Sequence, residues 1–117
     1  MLSMAKRFDP DAYRLVGGIL STIAGYEPYA SIISAAEQLV GSDFAGNKAA
    51  QAHRKRLITA IKQNIINRRD YPYEVLLRKY GLAVGRNKFV EEKQRFVSSI
   101  CGALADGYSP ENKKHGR

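Results

Sequence analysis

Apolar residues recur at three- and four-residue intervals through five successive segments of this chain, and no segment alternates with period two over six residues. That pattern selects helices and leaves nothing from which to build a sheet. The expected architecture is all-α: a single-domain bundle of about five helices over residues 1–107, followed by a frayed polar tail at 108–117. A chain of 117 residues suits one domain of ordinary size.

Punctuation residues divide the pattern. Asp9-Pro10 reads as an N-cap followed by a proline in the first turn. Tyr13, Val16, Ile19, Leu20 and Ile23 then share a face, and Gly25 is expected to end this helix. Gly17-Gly18 in its middle implies a kink or the close approach of a neighbour. A second helix runs from about Glu27-Pro28 to Val40, with Gly41 in the left-handed position after its end. Phe44 is expected to anchor the connection that follows. The third and longest helix, about Lys48 to Asn67, places Ala50, Leu57, Ile58, Ile61 and Ile65 on one side. Asp70-Tyr71-Pro72 breaks it and opens a short helix, Pro72 to Tyr80, which Gly81 stops and Leu82 covers. The last helix, about Arg86 to Ala105, carries Phe89, Phe96, Val97, Ile100 and Leu104 as its stripe, joined by the Lys93 stem and Cys101.

The net charge of +8 is not spread evenly. Residues 43–80 hold nine Lys and Arg against three Asp and Glu, a net +6, whereas residues 1–42 are net −1. A localised excess of this kind suits contact with phosphate or another polyanion, and equally suits a solvated surface. Lys48, Lys55, Lys62 and Arg69 repeat every seven residues, which sets them along one side of the third helix. They read either as a rail beside a phosphate backbone or as long side chains snorkelling around a buried stripe.

The stretch from Tyr73 to Phe96 has the order short helix, glycine stop, tight turn, longer helix, which is the helix-turn-helix arrangement. Leu76, Leu77, Tyr80, Leu82, Val84 and Phe89 would brace the second helix so that its start projects into a major groove. Gly85, Arg86, Asn87 and Lys88 stand at that start. Arg can bond guanine with two donors, Asn can pair bidentately with adenine, and Lys suits guanine or phosphate.

Leu82-Ala83-Val84-Gly85-Arg86-Asn87-Lys88-Phe89 and the following Val90-Glu91-Glu92-Lys93-Gln94-Arg95-Phe96-Val97 resemble the C-terminal segment of small phage regulators. These are the ArpU/RinA-type late-gene transcription activators of Gram-positive phages and related prophage proteins. The resemblance covers about residues 71–105. It implies that Arg86, Asn87 and Lys88 face DNA bases and that Arg95 lies near the backbone. Gly85 stands where such proteins often carry a capping Ser, and Glu91 and Glu92 where basic residues are usual. Two carboxylates expected on an exposed turn would oppose phosphate, accept from cytosine amino groups, or mark a surface that meets protein.

Other chemistries find little support. There is no phosphate-loop glycine pattern, no metal constellation and no Ser/His/acid set with suggestive spacing, so neither enzymatic activity nor a cofactor is expected. The lone Cys101 reads as buried packing, and His53 as an exposed residue beside the basic run. No apolar run reaches the roughly 18 residues of a spanning helix, and the first residues lack the core of a secretion signal, so a cytoplasmic setting is expected. The expected function is DNA-binding regulation in a phage or prophage setting. Double-stranded DNA is the partner, with a second copy of the chain as a further candidate. The rival reading is a helical adaptor that meets protein through the Gly17-Gly18 helix and the tyrosine-bearing second helix.

Overall fold

The computed structural model describes residues 10–106, which form a five-helix bundle with no strand among them. The helices are α1 (Pro10–Thr22), α2 (Tyr29–Leu39), α3 (Lys48–Ile66), α4 (Tyr73–Tyr80) and α5 (Arg86–Ala105). The expected Asp9 cap and the tail at 108–117 lie outside the described residues. α2 packs on α5, α1 on α3 and α5, and α4 chiefly on α3. One core joins them, centred on Val16, Ile32, Ala36, Leu57, Ile61, Leu76, Phe89, Phe96 and Ile100.

α1 is continuous through its two glycines. Gly17 lies against α3, where a Cβ would stand 3.0 Å from the Ile65 carbonyl oxygen, whereas Gly18 faces open space. Close approach, and not a kink, is therefore what Gly17 provides. α1 ends at Thr22, three residues before Gly25. Ile23 N–H still reaches the Ile19 carbonyl, but Tyr26 N–H takes the Ile23 carbonyl, which closes the helix in a turn.

Two helix ends are finished by arginines of α3. Gly41 follows α2 at φ 64°, and Arg54 donates from Nε to the Val40 carbonyl (2.6 Å) and from its guanidinium to the Glu37 carbonyl (2.8 Å). Gly81 follows α4 at φ 60°, Leu82 N–H returns to the Leu77 carbonyl (3.1 Å), and Arg56 Nε donates to the Tyr80 carbonyl (2.8 Å). Each arginine meets carbonyls at the end of a helix, where the backbone runs short of its own donors and the dipole is negative.

α3 and α4 form an antiparallel hairpin with a readable register. Asn64 Nδ2 donates to the Tyr71 carbonyl (2.8 Å), Arg56 meets Tyr80, and His53 Nε2 accepts from Ala83 N–H (2.8 Å). His53 is therefore not an exposed residue. It is 8 % exposed and stacks on Phe44, which anchors the α2–α3 connection as expected. His53, Leu57, Ala60 and Asn64 follow one another at four- and three-residue steps, which puts all four on the inward side of the helix. Burial, together with the nearby Arg56 charge, lowers the imidazole's affinity for a proton, and the accepting nitrogen must be unprotonated to hold Ala83.

Candidate nucleic-acid interface

Charge is disposed differently on the two helices that the sequence singles out. Between Lys48 and Arg69 there are seven Lys and Arg residues and no acidic residue. At 100° per residue, Lys48 and Lys55 point away from the Leu57–Ile61 face, and both are exposed. Lys62, one step round toward α2, donates to Glu37 Oε2 (2.5 Å) and is half-buried. Arg69 does not continue the row. α3 ends at Ile66, so the helical spacing no longer applies, and Arg69 sits exposed in the turn before α4.

The hairpin adds cations that the seven-residue spacing did not mark. Arg56 bonds the last residue of α4, the helix whose final turn carries the exposed Arg78 and Lys79. Lys79 Nζ lies 4.9 Å from the Tyr71 ring centre and 5.4 Å from that of Tyr80. Among the described residues, none of Lys48, Lys55, Arg56, Arg78 and Lys79 is ion-paired. The signal for this grouping was the break at Asp70-Tyr71-Pro72. A short turn folds α4 back along α3, so residues whose numbers sum to about 136 become neighbours.

The start of α5 is arranged in the opposite way. Arg86 is paired with Glu74, and its guanidinium lies 5.0 Å from the Tyr73 ring centre. Lys88 Nζ stands 3.0 Å from Asp43, 3.0 Å from Glu92 and 3.9 Å from Glu91. Arg95 lies 3.7 Å from Glu92. Bonding to these cations holds the Asp43 and Glu74 carboxyls below the usual carboxylate range, and the bond to Asp43, then that to Glu92, pushes the Lys88 ammonium up. Asn87 is exposed in the first turn. Nearby, Leu76, Leu82 and Phe89 are buried, and Tyr73 donates its hydroxyl to the Val84 carbonyl (2.8 Å) while its ring meets that of Phe89.

The two carboxylates of α5 differ. Glu91 is exposed, but Glu92 is fully buried and accepts from Gly41 N–H (2.9 Å). Expecting both on an exposed turn was therefore wrong for Glu92. It lies three residues after Phe89 and four before Phe96, on the same stripe, where helical geometry carries it into the core. Cys101, expected as buried packing, is half-buried against that core.

Lys93, on the middle of α5, meets Asn64 on the inward side of α3. The exposed lysines of α3 and the body of α5 therefore occupy different sides of α3. No protein-family model, curated protein or solved structure matches this chain. Among the described residues no helix is long and apolar enough to cross a membrane.

Proposed function

We propose that this protein is a cytoplasmic DNA-binding regulatory protein of the phage or prophage type, which grips the phosphate backbone of double-stranded DNA through the α3–α4 hairpin. The observation that carries the reading is the group of exposed cations, Lys48, Lys55, Arg56, Arg78 and Lys79, on elements where α3 supplies no acid to neutralise them. Cations so placed displace counterions from a polyanion and carry no sequence information. Sequence reading falls to the helix-turn-helix formed by α4 and α5, with Arg86, Asn87 and Lys88 as base contacts. Asn87 is exposed for that role. Arg86 and Lys88 must exchange their carboxylate partners for DNA, and Lys62 and Arg95 would have to do the same to reach phosphate.

The test is a fluorescence anisotropy titration with duplex DNA across salt concentrations. Lys55→Ala with Arg78→Ala weakens binding to every duplex alike. It lowers the slope of log affinity against log salt by up to about 2, since each phosphate contact contributes about 0.9. An unchanged slope overturns the reading.

A protein-binding adaptor is the second reading. It is favoured by a half-open groove of about 300 Å³ lined by Leu20, Ala24, Ile33 and Ile66, with Ile66 47 % exposed. Failure to bind DNA at low salt would transfer the assignment to it.

A further inference from the structure

The groove between α1, α2 and the end of α3 carries charge as well as apolar surface. Leu20 and Ala24 line it from the end of α1 and the turn beyond, Ala30 from α2, and Ile66 from the last turn of α3. Among the described residues, the charged ones on its wall are one acid and one base, Glu37 and Lys62, which bond each other (2.5 Å) and are both half-buried. Tyr26 stands in the turn between Ala24 and Ala30. It is 68 % exposed, more than any other large apolar side chain among the described residues. Its backbone is held: its N–H donates to the Ile23 carbonyl (3.1 Å), and its carbonyl accepts from Ala30 N–H (2.9 Å). The chain thus leaves an aromatic ring in water beside a groove whose lining residues nearest in sequence, Ala24 and Ala30, have small side chains.

These features choose an occupant. A net charge of +8 opposes contact between copies of the chain over most of its surface. The groove is different, because its acid and its base cancel. About a two-fold axis the same patch serves both partners, and a residue that meets another across the axis is met by it in return. Glu37 and Lys62 side by side satisfy that condition: each Lys62 can face the other copy's Glu37, so opposite charges stay together when the copies meet. A polyanion, by contrast, would reach Lys62 only by also meeting Glu37. The apolar parts are matched in the same way. The Tyr26 ring of one copy covers Leu20 and Ile66 of the other, and Ile66, 47 % exposed in the single chain, leaves water in the same step. Aromatic anchors seated in pockets of this kind carry much of the energy of protein interfaces.

We propose that this groove is a self-complementary interface, in which each of two copies seats its Tyr26 in the other's groove and Glu37 and Lys62 pair across the two-fold axis. DNA binding plays no part in the contact, and the test runs without DNA: sedimentation velocity of the full chain over a wide range of concentrations. The expected result is a reversible equilibrium between monomer and dimer. Tyr26→Ala, at an exposed position, is expected to weaken association at least about tenfold. Glu37→Lys makes the wall wholly positive, and Lys62→Glu makes it wholly negative. Each of these variants alone is expected to stay monomeric, and an equimolar mixture of the two is expected to form a heterodimer. Circular dichroism checks that each variant is folded, and Tyr26→Ala, which leaves the ion pair in place, carries the test where a charge variant is not. A wild-type chain that is monomeric at every concentration overturns the inference and leaves the groove to another protein. A dimer that Tyr26→Ala and both charge variants leave intact also overturns it, because the copies then meet elsewhere. A dimer that responds as expected in a chain that fails to bind duplex DNA upholds the interface and removes the DNA reading, so the two failures are told apart.

Discussion

Lys48 and Lys55 stand on a helix that has no acidic residue of its own, whereas Arg86, Lys88 and Arg95 each meet a carboxylate within or beside α5. Both regions look basic in the sequence. In the folded chain the first presents its charge to solvent, and the second uses much of its charge to fasten α5 to α4 and to the α2–α3 connection. A count of Lys and Arg therefore overstates what α5 offers a polyanion. On the proposed DNA-binding reading, the cations left for a phosphate backbone are those that pair with no carboxylate among the described residues.

That contrast can be broken most forcefully at Glu92. Replacing it with Ala strands the Gly41 N–H and removes a buried partner of Lys88. The expected loss is about 1–3 kcal/mol in urea unfolding, the cost of leaving a buried donor without its acceptor. Glu91→Ala, at an exposed site, should stay within about 0.5 kcal/mol. Equal effects of the two changes would show that the start of α5 is not fastened as described.

A smaller effect sharpens the comparison from the DNA side. Glu74→Gln frees Arg86 from its carboxylate, and duplex affinity is expected to rise several-fold with folding unchanged. No change in affinity would remove α5 from the DNA interface while leaving the hairpin surface in place.

The inward face of α3 yields a pH test. The folded-state pKa of His53 lies below its ordinary value of 6.5, so the unfolded chain binds the proton first. The stability contributed by neutral His53 is complete above 6.5 and drains away as pH falls from there toward the lowered folded value. His53→Gln, which keeps an acceptor for Ala83, should flatten that part of the stability–pH curve measured by thermal unfolding. The smallest effect is expected at the outward face: Lys48→Ala and Lys55→Ala should each shift stability by no more than about 0.5 kcal/mol.

Much of the fold was legible because helix ends carry local chemistry. Pro10 in the first turn of α1, the left-handed Gly41 and Gly81, and Leu82 over the end of α4 all stand where the residue types place them. The stripes gave the helix faces, with Phe89, Phe96, Val97 and Ile100 buried together. What escaped was polar and non-local. Glu92 and His53 occupy core positions by spacing, yet their side chains read as surface chemistry until the backbone amides that they accept, from Gly41 and Ala83, are known. Those partners lie 51 and 30 residues away, and no window of sequence couples them. The hairpin was hidden for the same reason: Arg56 and Tyr80 belong to different periodic segments, and only the register between α3 and α4 brings them together.

The bond from Gly41 N–H to Glu92 gives one backbone proton an unexpected lifetime. An amide in a connection between helices ordinarily exchanges with deuterium through small local openings. This one is sealed by a carboxylate with no solvent exposure, carried on a helix 51 residues further on, and that helix also holds α1 and α2. To release the proton, α5 has to leave the bundle. Gly41 should therefore exchange at the pace of global unfolding, along with the amides of the innermost helical turns. A residue outside every helix would then serve as the clock for the whole molecule.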